Sequence, residues 1–212
     1  MKKAFGVLIL AVIVQSNCFA QQTNWQFVKE TNGVKVYFRE TPGNPIKEVK
    51  ILTTFNAPIN SIISALTDVD SYPSWVYGAL ESRVVKRIST SEMMYYNKLD
   101  FPWPLTDRDI LIHTRIIKEG DMVYSVSEAK SDELSPSNDL VRITRFKSKW
   151  AFKPIGNRVQ AEYVFSSDPG GNIPVWMINL ALDQGPLKTI QNFKKLMAKP
   201  IYRSTAEITN IK

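Results

Sequence analysis

The chain is nearly free of the residues on which most covalent and metal chemistry rests. It holds one cysteine, Cys18, and one histidine, His113, in 212 residues. A single cysteine excludes an intrachain disulfide framework, so stability must come from burial and hydrogen bonding. One histidine leaves Cys–His and Ser–His nucleophilic catalysis with little to work with, and a metal site is equally poorly supplied. The close acidic pairs Asp68/Asp70 and Asp107/Asp109 read as turn and capping residues. No glycine-rich loop opens a helix after a parallel strand in the manner of a phosphate site, and Gly170-Gly171 leads instead to Asn172 and Pro174. No basic run is dense enough to suggest nucleic acid. No cofactor is implied.

Long apolar runs are scarce as well. The run over residues 4–14 is shorter than the ~20 residues of a membrane-spanning helix. Lys2 and Lys3 precede it, and the small residues Cys18 and Ala20 follow. That is the pattern of a secretory signal peptide over residues 1–20, cleaved near Ala20. The polar Gln15-Ser16-Asn17 argues against Cys18 as a lipid acceptor. Cleavage leaves 192 residues, takes the formal charge from +7 to +5 as the two lysines leave, and removes the cysteine. The expectation is one exported domain with a sizeable core, periplasmic or secreted. Its basic balance suits transient contact with an anionic membrane surface, and it suits plain solubility equally well. A monomer is expected.

What the chain does contain is a clear order of elements. Asn32-Gly33 marks a hairpin between strands over 25–29 and 34–39, and a third strand covers 46–55. Ile59, Ile62, Ile63 and Leu66 have helical spacing over 58–68, and 70–75 reads as a second short helix or turn. Six strand-like runs follow, at 80–88, 93–99, 109–118, 122–128, 140–152 and 159–166. A long helix from Pro174 to about Lys199 ends the domain, with a kink or restart at Gly185-Pro186. Residues 201–212 read as a loosely ordered tail. The class is α+β: a curved antiparallel sheet gripping a helix.

Alternation predicts which residues face inward. Ile110, Ile112, Thr114 and Ile116 share one face, Val159, Ala161, Tyr163 and Phe165 another. Arg142, Thr144, Phe146, Ser148, Trp150 and Phe152 share parity along 140–152, unless a bulge flips so long a strand. In the last helix Val175, Ile178, Leu182, Ile190, Phe193 and Met197 form one stripe with Asn179 in its middle, and Asn172 is placed to cap the helix start. These inner faces are apolar with scattered polar groups. Either those groups bond one another in a solid core, or they line a tunnel and meet a ligand.

Four stretches resemble the START (StAR-related lipid-transfer) domains, here in a secreted bacterial form. They are Asp68 with Tyr72 and Trp75 after the first helix; Phe101-Pro102-Trp103-Pro104-Leu105-Thr106-Asp107-Arg108-Asp109; Val141-Arg142 followed by Trp150 and Pro154; and Asp168-Pro169-Gly170-Gly171 with the helix opening as far as Asn179. The likeness runs from about residue 25 to 199, which makes residues 21–200 a START-like lipid-binding domain. It implies a helix-grip fold, a hydrophobic tunnel between sheet and C-terminal helix, and a lipid or other hydrophobic small molecule as partner. Several sterol- and phosphatidylcholine-binding members carry a cavity-facing arginine six residues after the arginine of the Arg-Asp pair. This chain has Thr114 there, which points to a less charged ligand.

The candidate ligand-binding residues are Asn179, Thr114, Arg142, Ile112, Trp103, Trp150, Tyr163, Trp176 and Leu182. Arg108 and Asp109 are expected to pair within the fold, and His113 to face outward. The function these features favour is an exported lipid-binding or lipid-transfer protein and not an enzyme. The alternatives are a helix-grip enzyme of cyclase or hydrolase type, which needs an acid or base in the cavity where Glu162 and Glu92 point outward, and a structural subunit with a collapsed cavity.

Overall fold

The computed structural model describes residues 24–203 apart from residue 136. The expected signal peptide and the tail beyond residue 203 lie outside the described residues.

Strands β1 (Gln26–Thr31), β2 (Val34–Thr41) and β3 (Asn44–Phe55) form an antiparallel meander. The β1–β2 turn has left-handed backbone at both Asn32 (φ 53°) and Gly33 (φ 69°), as a tight hairpin of this hand requires. Helix α1 (Ile59–Thr67) and a 3-10 helix (Val69–Ser74) follow; α1 buries Ile62, Ile63 and Leu66 as its spacing predicts. Then come β4 (Ala79–Arg87), β5 (Glu92–Leu99), β6 (Arg108–Glu119), β7 (Met122–Ala129), β8 (Val141–Arg142), β9 (Arg145–Ile155) and β10 (Arg158–Asp168). The sheet order is β1-β2-β3-β10-β9-β7-β6-β5-β4. The last strand therefore joins the N-terminal meander to the strands that follow the helices. The two-residue β8 lies off this path and pairs parallel with β6.

The chain ends in α2 (Val175–Ala181), α3 (Gln184–Met197) and the short α4 (Pro200–Arg203). The single helix expected over 174–199 is thus two. The ladder breaks at Leu182-Asp183, and Gly185-Pro186 occupies the first turn of α3, where proline's missing N–H removes no bond. Asn172 does not cap α2. Pro174 takes the cap position with extended backbone (φ −58°, ψ 133°) and no side-chain cap bond. The expected stripe holds only in its second half. Ile190, Phe193 and Met197 are buried with Leu187 and Leu196, whereas α2 has no buried residue. Phe193 packs edge-on to Phe55 at 5.2 Å between centroids and lies 4.7 Å from Trp75, which seats α3 in the concave face.

The strand expected over 140–152 is also interrupted. Residues 143–144 separate β8 from β9, and this break flips the parity. Ile143 is buried on the cavity side, Thr144 is exposed, and Arg142 turns away to form a two-pronged pair with Asp109 at 2.7 and 2.8 Å. From Phe146 onward the alternation is as predicted.

The Arg142–Asp109 pair is almost wholly buried, with side-chain exposures of 6% and 2%. Truncating one partner leaves the other charge uncompensated. Arg142→Ala is expected to lose roughly 3–5 kcal/mol of stability, read as a lower urea midpoint. The double replacement Asp109→Leu/Arg142→Met should recover much of that loss.

Candidate functional site

Between the concave face and α3 lies a cavity of about 280 Å³. Its walls come from α1 and the 3-10 helix (Leu66, Tyr72), from β5, β6 and β7 (Tyr95, Ile112, Ser125), from β9 and β10 (Trp150, Tyr163), and from the first turns of α3 (Pro186, Thr189, Ile190). Tyr77 covers one side. Its ring lies next to Gly185, and its backbone N–H donates to Thr189 Oγ1 at 3.0 Å. Among the described residues lining the cavity there is no Asp, Glu, Lys, Arg, His or Cys.

The polar groups in this wall are neutral and mostly satisfied by one another. Thr114, Ser127 and Ser148 stand abreast on β6, β7 and β9. Thr114 Oγ1 bonds Ser127 Oγ at 2.9 Å and Ser125 Oγ at 3.4 Å. The Tyr163 hydroxyl bonds Ser148, Tyr72 donates to the Leu66 carbonyl at 2.6 Å, and Tyr95 bonds Tyr72. Trp150 stacks on Tyr163 at 4.3 Å and on Phe152 at 5.2 Å. Burial raises all three phenols, Tyr163 to about 12. One atom stands apart. Asn97 is 6% exposed, lines the cavity, and its Oδ1 has no hydrogen-bond partner among the described residues.

Of the residues singled out in the sequence, Thr114, Ile112, Trp150 and Tyr163 meet in this wall. The other five do not. Asn179 is held by backbone: its Oδ1 accepts from Lys47 N–H and its Nδ2 donates to the Pro45 carbonyl, both at 3.1 Å, which staples α2 to β3. Its polar position in an apolar stripe is explained by that pair of bonds. Arg142 is occupied by Asp109 and by the carbonyls of Ser131, Leu134 and Ser135. Leu182 packs at the α2–α3 break, and Trp103 and Trp176 are 93% and 66% exposed.

Arg108 and Asp109 do not pair with each other, because adjacent strand residues point to opposite faces. Arg108 donates to the carbonyls of Thr106, Pro169 and Gly170 and lies 4.3 Å over the Phe101 ring. A Cβ on Gly171 (φ +71°) would sit 3.3 Å from the Arg108 guanidinium, so this turn needs glycine for both backbone and space. His113 lies on the outer face, 2.6 Å from Glu92. Among the described residues no group of three or more His, Cys, Asp or Glu side chains is arranged to hold a metal.

Asn97, Ser125 and Ser127 were not among the sequence candidates. Alternation could have found them, since Asn97 follows Met93 and Tyr95 on one face of β5, and Ser125 and Ser127 follow Val123 on β7.

Comparison with known proteins agrees with this architecture. The START domain family model matches residues 11–200, and the chain belongs to that family. It is 29% identical over 196 residues to an uncharacterized protein of Pseudomonas aeruginosa, covering 91% of this chain and 96% of that one. It is 24% identical over 184 residues to the phosphatidylcholine transfer protein of Mus musculus, covering 83% of each. Among solved structures, the STAR-related lipid transfer protein of Xanthomonas axonopodis superposes with a TM-score of 0.78 at 28% identity, over 82% of this chain and 99% of that one. The helix-grip fold and, at the level of the family, lipid binding are thereby shown.

The raised phenols carry a pH consequence. A phenol whose folded value exceeds its unfolded value near 10 adds stability that is complete below about pH 10 and is lost as the pH climbs through the folded value, about 12 for Tyr163. Tyr163→Phe should therefore flatten the fall of stability between those limits by up to about 1.4 kcal/mol per pH unit. Urea unfolding at a series of alkaline pH values measures the slope.

Proposed function

We propose that this START protein is an exported carrier that holds one uncharged hydrophobic molecule in the cavity under α3. The observation that carries this reading is the wall: apolar, supplied with neutral hydroxyls, and without a charged side chain among its described residues. Apolar burial drives uptake at about 0.8 kcal/mol per CH₂. A buried ionic head would find no counter-charge there. The volume, about 280 Å³, falls just below the range of ligand cavities, roughly 300–1,000 Å³, which favours a single-chain or small-ring molecule over a two-chain phospholipid. The mouse relative is named for phosphatidylcholine, a phosphate-bearing cargo. In this chain the wall position Thr114 is a neutral group already bonded to Ser127.

Two further features support exchange at a membrane. Trp103, Trp176 and Leu180 are exposed large apolar residues. Arg108 links the loop bearing Trp103 to the turn that leads into α2, so these groups belong to one end of the molecule. Tryptophan, with an apolar body and one polar N–H, suits a membrane–water boundary. No helix among the described residues is long and apolar enough to cross a membrane. The leader over residues 1–20 would place this carrier in the periplasm, or outside the cell. The enzymatic alternative has less support. Glu162 is exposed, Glu92 bonds His113 on the outer face, and the cavity phenols, protonated at neutral pH in any case, are pushed by burial still further from ionising.

Native mass spectrometry of residues 21–212, purified without detergent from the host envelope, tests the reading. A one-to-one adduct lost on organic extraction is expected, with the extract dominated by one class of uncharged lipid. A clean ligand-free mass that persists after incubation with envelope lipids would overturn the carrier.

A further inference from the structure

The cavity takes up only part of the space between sheet and helices, and the strand register shows where it stops. Its inner wall is laid out in cross-strand rows. Thr114, Ser127 and Ser148 form one row, and Ser125, Trp150 and Tyr163 form the next; all six line the cavity. One row further along the same strands stand Val123, Phe152 and Ala161. They are buried, and none of them lines it. No described residue of β1, β2 or β3 lines it either. Tyr77 lies at the opposite end, beyond Asn97 and the pairing of Leu99 with Ala79.

The inner end is closed by rings in contact. Trp75 lies 4.7 Å from Phe193, Phe193 lies 5.2 Å from Phe55, and Phe55 lies 6.3 Å from Trp150. This partition runs from the end of the 3-10 helix through α3 and β3 to β9. Phe55 and Phe193 stand behind it at 1% exposure, while Trp75 and Trp150 face the cavity. Trp150 is the one of these rings that keeps accessible surface beyond the buried range. It points inward from a central strand, so that surface opens on the cavity. Its ring is stacked on Tyr163 and Phe152 and abuts Phe55, so it is held on several sides.

Resting on the carrier reading above, we infer that Trp150 is the floor of the ligand site and sets the length of cargo that the cavity takes. A ring wedged among aromatic neighbours cannot turn aside without overpacking the core behind it. Each methylene that fits in front of the indole leaves water and adds affinity. Each one beyond that length stays in water at the covered end and adds none. The residue that fixes the site's depth therefore selects among hydrophobic chains that share one head group.

The test uses delipidated residues 21–212 and straight-chain primary alcohols from 1-octanol to 1-octadecanol. Binding is followed by displacement of the uncharged fluorophore N-phenyl-1-naphthylamine. Wild-type affinity is expected to rise about fourfold with each methylene and then to stop rising at one chain length. In Trp150→Ala the rise should continue to longer chains. Trp150→Phe, which keeps a ring and protects the fold, should place the break between the two. Val36→Ala is the control: Val36 is fully buried in the packed half under β2, so its loss loosens the core without touching the floor, and the break should stay where it is. A wild-type series with no break, an unmoved break in both Trp150 variants, or a break that moves as far in Val36→Ala would each overturn the floor and leave the carrier standing. Failure of the fluorophore and of every alcohol to bind the wild type would overturn both.

Discussion

Two buried guanidinium groups organise one end of this molecule. A charge out of water costs several kcal/mol unless it is paired and hydrogen-bonded, and the chain is arranged to meet that demand twice. Arg142 takes the Asp109 carboxylate and three carbonyls of the segment 131–135. Arg108, one residue before Asp109 and on the other face of β6, takes the carbonyls of Thr106, Pro169 and Gly170. Segments far apart in sequence are fixed to one another as a result: the proline-rich loop, β8, and the Asp-Pro-Gly-Gly turn. That turn delivers the chain to α2 and α3. The line along which the helices cross the sheet thus follows from where two arginines find oxygen.

The cavity has a physical origin in side-chain size. Protein interiors are normally packed to crystal-like density. Around α3 that holds: Val36, Val49, Ile51 and Phe55 of β2 and β3 meet Ile190, Phe193 and Met197. Toward β6, β7 and β9 the inward positions include Thr114, Ser125, Ser127 and Ser148, whose short side chains cannot reach the helix. A curved sheet is wider than the single helix it holds, and small hydroxyl residues on the far strands leave the difference unfilled. Thr114 bonds Ser125 and Ser127, and Ser148 bonds Tyr163, so most of the hydroxyls in this part of the wall are satisfied within the protein.

Much of this was legible in the sequence, and what escaped has definite causes. Alternation located the inner faces of β6 and β10, and the spacing in 58–68 located α1, because both periodicities persist over whole elements. It failed at 140–152, where a two-residue break between β8 and β9 exchanges inside for outside. Arg142 was thereby expected to point inward, and Ile143 was missed. Asn179 was read from its place in an apolar stripe. The long-range bonds to Pro45 and Lys47 that occupy it follow only from the packing of α2 on β3. Trp103 and Trp176 escape because aromatic character at such positions does not distinguish a buried ring from one displayed at the surface. Asn97 was readable from the parity of β5, but its lack of a partner depends on β4, which pairs with β5 through irregular register.

Exchange of a buried ligand requires an opening, and the distribution of contacts says where one costs least. Local stability follows buried apolar contact. Most of α3 is anchored by five buried side chains, and the sheet is closed by the β3–β10 ladder. Separating these would approach global unfolding. The cover over the cavity is lighter. It consists of Tyr77 beside Gly185, the Tyr77 N–H to Thr189 bond, and the Asn192 amide on the Trp75 carbonyl at 3.2 Å. The adjoining α2 buries no residue and is held to β3 through the two bonds of Asn179. The helical ladder is broken at Leu182-Asp183, so α2 and the first turn of α3 do not share the anchoring that Phe193 gives the rest of α3 on Phe55 and Trp75. The break lies just before the Gly185-Pro186 restart that the sequence marks; it divides a heavily anchored part of the grip from a lightly anchored one, and it places that division beside the cavity.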